Sequence, residues 1–142
     1  NTLCLIHQAR YSLLDRWIED GLTDVLDEDG VGCITFSPLA QGQLTNRYLK
    51  GIPKNSRAEK EHGFLSVDQV NANIGKVRQL AAIAESRGQS LAQMALAWTL
   101  SNPTVTSTLI GVSNVKQLQE NIECLKNCEF SVEELAAINS IV

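Results

Sequence analysis

The chain has 142 residues, of which 44% are hydrophobic and 20% charged, with a formal net charge of −4. That length can bury one hydrophobic core, which corresponds to one domain or part of one, and an acidic balance without a basic stripe argues against nucleic acid or an anionic membrane surface as partner. No apolar run approaches the ~20 residues that a bilayer-spanning helix needs. Neither an initiator methionine nor a signal peptide opens the sequence, so the expectation is a soluble, cytoplasmic piece of something longer.

The first candidate element is the apolar run from Leu3 to Ile6, read as a strand covered on both faces. Leu13, Leu14, Trp17, Ile18, Leu22, Val25 and Leu26 then recur at helical spacing up to Asp29 and Gly30. Val31 to Phe36 reads as a second strand. A long polar loop with Pro38, Gly42, Gly51, Pro53 and Gly63 follows, and loops of that length are uncommon unless they have a task. Ser66 with Gln69 forms a capping-box pattern before a helical stripe from Val67 to Ala84 that stops at Gly88. The same pattern at Ser90 and Gln93 opens a shorter helix with Met94, Ala95 and Trp98, and Pro103 comes after it. Thr106 to Ile110 is the third strand. Val115, Leu118, Ile122 and Leu125 line the next helix, and Ser131 with Glu134 caps a last one reaching Ile141.

Cys4, Cys33, Cys124 and Cys128 form no CxxC pair, and a core of this size needs no staples, so reduced thiols are the expectation. His7 and His62 carry no metal-ligand spacing, and no metal is expected.

Strand, helix, strand, helices, strand, helix is the order of parallel βα units. A doubly wound sheet fits that order too, but its dinucleotide site wants G-x-G-x-x-G after a strand, and the chain has none. Three parallel strands do not close a barrel. A (β/α)8 TIM barrel normally takes ~250 residues and often binds phosphate after strands seven and eight. The fold expected is therefore α/β, the C-terminal portion of such a barrel, with strands six to eight and their helices. Two stretches then fall at the phosphate end: ITFSPLAQGQLTNRY at 34–48 and LIGVSNVKQLQEN at 109–121. Each runs from a strand into a polar turn containing glycine, and the second continues into a helix whose N-terminus favours an anion.

Those stretches, with IHQARYSLL at 6–14, SPLAQG at 37–42, GIPKNSR at 51–57 and ALAW at 95–98, resemble the aldo-keto reductases. The branch most similar contains bacterial L-glyceraldehyde 3-phosphate reductases and the β-subunits of voltage-gated potassium channels. The resemblance covers nearly the whole chain and implies that residues 1–142 are the C-terminal half of an oxidoreductase domain. It also implies NADP(H), bound without a Rossmann fold, and a small carbonyl substrate. By that resemblance Gln8 bonds the nicotinamide carboxamide, and Phe36 stacks on the ring. From the residues alone, the alternative for Gln8 is a satisfied polar group at a strand end, and a phenylalanine inside an apolar strand such as Phe36 is more often plain core.

Ser37, Pro38, Leu39, Gln41 and Gly42 match the family's pyrophosphate-side loop. Arg47 stands where the branch usually has lysine, after Asn46 in place of glycine, and Arg57 matches an arginine on the adenosine phosphate side. Either arginine also reads as a solvated loop cation. Gly111, Ser113 and Gln117 match residues that hold the 2′-phosphate, and Glu120 and Asn121 match adenine contacts. Ser113 or Asn114 can cap the helix. The spacing predicts that Gln117, Glu120 and Asn121 share a face turned away from Leu118 and Ile122.

The family's catalytic Asp, Tyr, Lys and His come from the first four strands, so no catalytic residue is expected here. Tyr11 and Tyr48 do not match the proton donor, and Tyr11 matches the segment near the nicotinamide. Three readings follow in order: the cofactor-binding part of an NADP(H)-dependent reductase of small aldehydes or ketones, such as glyceraldehyde 3-phosphate or methylglyoxal; part of a channel β-subunit; an inactive fragment. Gln41 and the segment from Lys60 to Phe64 favour the first. The expected partners are the carbonyl substrate, the missing N-terminal half of the barrel and a homo-oligomeric copy, with neither nucleic acid nor membrane.

Overall fold

The computed structural model describes residues 4–54, 56–59 and 63–142. Three strands, β1 (Ile6–Arg10), β2 (Gly32–Phe36) and β3 (Val105–Thr108), form a parallel sheet in the order β1-β2-β3. Among the described residues five α-helices accompany them: α1 (Leu22–Glu28), α2 (Val67–Ser86), α3 (Leu91–Ser101), α4 (Val115–Ile122) and α5 (Val132–Asn139). Parallel pairing delivers the C-terminal ends of all three strands, and hence the loops after them, to the same side of the sheet.

Period-two alternation sorts the strands into two faces. Ala9, Cys33, Thr35 and Val105 are buried, and Ala9, Cys33 and Val105 join the main core with Val77 and Leu80 of α2 and Met94, Ala95 and Trp98 of α3. Gln8, Arg10 and Phe36 alternate onto the other face and are exposed. Burial of Cys33 pushes its thiol pKa up, which suits a packing role over a reactive one. Thr35 pays no polar penalty inside, because its hydroxyl donates to Thr108 Oγ1 at 3.0 Å. The register with β3 slips between Cys33 and Ile34, and there the Cys33 N–H turns to Thr106 Oγ1 at 3.2 Å. A Cβ on Gly32 would lie 3.1 Å from that hydroxyl, which explains the glycine.

All three predicted capping boxes form: Ser66, Ser90 and Ser131 each accept from the N–H three residues on, and the side chains of Gln69, Gln93 and Glu134 reach back to the serine N–H. Elsewhere the elements depart from the sequence reading. The first strand runs from Ile6 to Arg10, later than the apolar run; Leu3 lies outside the described residues, and Leu5 is 77% exposed. The strand is covered on one face only, because the second face meets no other layer. The helix expected from Leu13 starts only at Leu22. Ser12 and Asp15 exchange backbone hydrogen bonds at 3.0 Å, making a tight turn that buries Leu13, and Trp17–Glu19 is a single 3-10 turn. A turn and a 3-10 segment thus mimic helical spacing.

The helix after β3 also turns the other way from the prediction. Asn121 is buried, whereas Val115, Leu118, Ile122 and Leu125 are exposed. Gln93 Nε2 donates to the Glu120 carbonyl at 2.9 Å, tying that end of α4 to α3. Leu96, Ala97 and Cys124 form a small core there, so the side of the helix that carries Asn121 faces inward. Among the described residues no helix is long and apolar enough to cross a membrane, and no three His, Cys, Asp or Glu side chains are grouped to hold a metal ion. All four cysteines are free; Cys33 and Cys124 are buried and Cys4 is exposed.

One buried cation fastens the chain's end to the helices. Arg87 follows α2 with its side chain 2% exposed, pairs with Glu134 at 2.6 Å and lies 3.8 Å over the Phe130 ring. It also donates to the carbonyls of Asn127 and Glu129 and to Gln89 Oε1. Arg87→Ala removes one donor from each of four acceptors, of which the Asn127 carbonyl keeps Gln89 and Glu134 keeps the Ser131 N–H, and should cost about 2–4 kcal/mol in urea unfolding, with Arg87→Lys intermediate. The Ser131 N–H, and then Arg87, hold the Glu134 carboxyl below its ordinary value of 4.5. A lowered folded-state pKa adds stability above the unfolded value and loses it as pH falls through the folded one. Glu134→Gln should therefore flatten the acid limb of the stability curve below that value; an unchanged limb would place the acid sensitivity elsewhere.

Candidate functional site

A cleft of about 360 Å3 opens at the C-terminal end of the sheet, between the loop after β2 and the loop after β3. From the first loop it is lined by Ser37, Pro38, Leu39, Gln41, Gly42, Thr45, Arg47 and, further on, Arg57. Leu109, Ile110, Gly111, Ser113 and Gln117 close the other side. The two arginines are the only charged side chains among the described lining residues, in a chain whose net charge is −4. Positive charge concentrated against the overall sign, without a carboxylate beside it, is an arrangement for an anion.

The β2 side of the cleft is built from unusual backbone. Ser37, Ala40 and Gln41 have φ of 56°, 46° and 62°, and Gly42 has φ of 93°. Left-handed conformations cost L-residues roughly 1–2 kcal/mol each, and only Gly42 adopts one freely. The turn is held by Ala40 and Gly42 N–H bonds to the Ser37 and Leu39 carbonyls, both 2.9 Å, and by Thr45 Oγ1 donating to the Gly42 carbonyl at 2.7 Å. Behind it, Tyr48, Ala58, Leu65 and Val70 form a small core of their own, which explains how so long a loop stays folded.

On the other side, Asn114 and not Ser113 caps α4: its Oδ1 accepts the Gln117 N–H at 2.9 Å. Gln117 Oε1 in turn accepts the Ser113 N–H at 2.9 Å. The Gln117 side-chain amide is thereby fixed by its oxygen, leaving its NH2 free to donate beside the Ser113 hydroxyl and the first-turn N–H groups, which have no intrahelical partner.

Of the residues singled out in the sequence, Ser37, Pro38, Leu39, Gln41, Gly42, Arg47, Arg57, Gly111, Ser113 and Gln117 all line this cleft. Gln8, Phe36, Glu120 and Asn121 do not. Gln8 sits mid-strand opposite Ile34, not at the strand end, and Phe36 closes β2 opposite Arg10. Phe36 is 38% exposed, so it is not plain core. Glu120 pairs loosely with Lys116 at 3.7 Å, and Asn121 is buried with its Nδ2 unpartnered. Thr45, Leu109 and Ile110 line the cleft unforeseen. Thr45 gave no signal because its place depends on the left-handed turn before it, and Leu109 and Ile110 because they were read as the end of a strand that stops at Thr108. Asn55, Lys60, Glu61 and His62 lie outside the described residues, and with them most of the segment from Lys60 to Phe64.

Tyr11 is away from this chemistry. It is buried against Trp98, ring centroids 5.0 Å apart, donates its hydroxyl to Glu19 Oε1 at 2.6 Å and accepts from Asn102 at 3.3 Å. Burial, the main cause, pushes the phenol far above its ordinary value. It is a packing residue whose proton is already committed.

Residues 3–142 match the model of the aldo/keto reductase family, and the chain belongs to that family. It is 50% identical over 140 residues to the L-glyceraldehyde 3-phosphate reductase of Escherichia coli K12, covering 95% of this chain and 40% of that protein. It is 38% identical over 125 residues to a probable voltage-gated potassium channel subunit beta of Oryza sativa, covering 85% and 38%. Among solved structures it resembles a glycerol dehydrogenase from Gluconobacter oxydans (TM-score 0.78, 20% identity, 96% and 41% covered) and a thermostable aldo-keto reductase crystallised with epalrestat (TM-score 0.66, 25% identity, 96% and 39%). The chain thus spans about 40% of the length of these relatives, and its three-stranded sheet is a portion of their TIM barrel.

The left-handed turn gives a direct test of its strain. Gln41→Gly removes the Cβ conflict at φ 62° and, net of the added chain entropy, should stabilise the fold by about 0.5–1 kcal/mol in denaturant titration. A loss of stability would mean that contacts of the Gln41 side chain outweigh the strain.

Proposed function

We propose that this chain is the C-terminal half of an NADP(H)-dependent carbonyl reductase acting on small aldehydes or ketones, with glyceraldehyde 3-phosphate and methylglyoxal as the first candidates. The observation that carries the reading is the cleft between the two loops, with Arg47 and Arg57 and no carboxylate among its described lining residues. Phosphate oxygens suit that donor set: the arginine forks, the hydroxyls of Ser37, Thr45 and Ser113, and the amide of Gln117. The residues therefore fit the cofactor's anionic part. Gly42 leaves room for a close backbone approach. Gln8 and Phe36 would hold the nicotinamide on the open sheet face, and Glu120 and Asn121 the adenine; the unpartnered Asn121 Nδ2 is a donor in want of an acceptor.

The bound cofactor supplies the hydride for carbonyl reduction. This chain's part is binding and orientation, since none of its described residues offers a placed general acid. The isolated 142 residues are accordingly inactive, and activity belongs to the complete barrel. The second reading is a cofactor-binding regulatory subunit, carried by the 36–38% identity to channel β-subunits; the 50% identity to the reductase puts it second.

The experiment is to titrate NADPH and NADH into the full-length protein and its Arg57→Ala variant, following carbonyl-dependent NADPH oxidation in parallel. The 2′-phosphate adds a charge that this acidic stretch of 142 residues, of net charge −4, repels unless a cation meets it. Arg57→Ala should cost NADPH about 1.5–3 kcal/mol, one to two decades of affinity, while NADH binding barely changes. The NADPH preference should also fall with added salt. Equal losses for both cofactors would take the 2′-phosphate away from Arg57, and no turnover of either aldehyde would end the reductase reading.

A further inference from the structure

Beside the cleft lies a smaller cavity of about 200 Å3 that shares Ser37 and Gln41 with it and whose only charged lining side chains, among the described residues, are Arg10 and Asp15. Arg10 ends β1 directly opposite Phe36, and the alternation along the strand puts it on the same face as Gln8. Its side chain is 62% exposed, and its Nε is held by the Asp15 carboxylate. The Trp17 indole N–H donates to the Arg10 carbonyl at 2.9 Å, and Asp15 is itself fixed by its backbone bonds to Ser12. The guanidinium is thus anchored by one nitrogen from a rigid turn, and neither Nη has a partner among the described residues. An exposed ion pair of this kind contributes little to stability. What the arrangement does provide is a pre-oriented fork with two free nitrogens, opening on a cavity whose other polar lining includes Ser12, Gln69 and the Gln43–Asn73 pair, hydrogen-bonded at 3.0 Å.

Its position relative to Phe36 decides what the fork can meet. Neighbouring strands lie ~4.8 Å apart. If Gln8 and Phe36 hold the nicotinamide, as proposed above, the carbonyl that accepts the hydride lies over that face, and Arg10 stands one strand to its side. A short substrate carries any anionic group only a few bonds from its carbonyl, within the span between the two. We propose that Arg10 is a specificity-determining residue that binds the phosphoryl group of a short phosphorylated aldehyde, with Asp15 as the positioning residue that orients the guanidinium. This inference rests on the reductase reading. The same fork could instead serve a phosphate of the cofactor, and the test separates the two.

In the full-length protein, kcat and KM are measured with glyceraldehyde 3-phosphate and with unphosphorylated glyceraldehyde, for wild type, Arg10→Gln and Arg10→Lys, with NADPH affinity titrated on each. The wild type should prefer the phosphorylated aldehyde in kcat/KM. Arg10→Gln should reduce that preference about 10- to 100-fold, mainly through KM, as expected for the loss of a charge-assisted contact, and Arg10→Lys should restore part of it. Inorganic phosphate should inhibit the wild type competitively with the aldehyde and lose that effect in Arg10→Gln. A matching loss with both aldehydes would overturn the inference in favour of a purely structural arginine. Weakened NADPH binding would give the fork to the cofactor, and an unchanged preference would leave it a bystander; either overturns the inference. A wild type that reduces glyceraldehyde without preferring its phosphate removes this inference alone, whereas one that reduces neither removes the reductase reading with it.

Discussion

Parallel pairing of β2 with both β1 and β3 is the constraint on which the site depends, because it brings the loops after β2 and β3 to one end of the sheet across a single strand spacing. Neither loop makes the cleft alone. The β2 loop has its arginines but no helix terminus of useful length, and the β3 loop has the helix terminus but no arginine lining the cleft. Thr35 is where the two strands are locked together: its hydroxyl bonds Thr108, and its carbonyl accepts the Leu109 N–H at 2.7 Å, the last link before the β3 loop departs. A fully buried threonine at that point holds the mouth of the cleft to a fixed width.

What the sequence made legible is what local chemistry dictates. Three serines followed three residues later by Gln or Glu marked three helix starts, because the capping box is a contact within one turn. Ten of the residues lining the cleft were legible too, through loops whose glycine, hydroxyl and arginine positions form a pattern along the chain, whereas Thr45, Leu109 and Ile110 were not. What failed was whatever apolar spacing alone cannot separate from a helix, and whatever depends on a contact distant in sequence. Leu13 and Leu14 fit a helical period, but the Ser12–Asp15 bridge turns the chain there. Leu118 and Ile122 are the apolar members of α4 and would be taken for its buried side, yet Asn121 faces inward because Gln93 and the core around Cys124 grip that end of the helix.

The exposed apolar residues belong to the same account. Parallel sheets are normally covered on both faces. Here Ala9, Cys33 and Val105 are covered, whereas Ile6, Gln8, Arg10 and Phe36 face no second layer, and Val115, Ile122 and Leu125 are bare along α4. Relatives more than twice as long carry this same portion of fold inside a closed barrel. Apolar side chains at those positions suit a surface that the rest of such a barrel covers, and the polar pair Gln8 and Arg10 suits a face turned toward its mouth.

Backbone strain and charge point to the same end of the molecule. Ser37, Ala40 and Gln41 hold left-handed conformations within one five-residue turn, a concentration that is uncommon outside functional loops because each such residue costs free energy. The loop tolerates it because Tyr48, Leu65 and Val70 anchor its far side in a core of their own. The strain in turn sets what the cleft presents: the turn from Ser37 to Gly42 directs backbone and hydroxyl groups into the cleft, while Arg47 and Arg57 follow on the anchored stretch beyond it. Rearranging that turn to relax the strain would separate the Ser37 hydroxyl from the arginines. The left-handed turn thus sets one wall of the cleft, and the anchored stretch beyond it sets the cations.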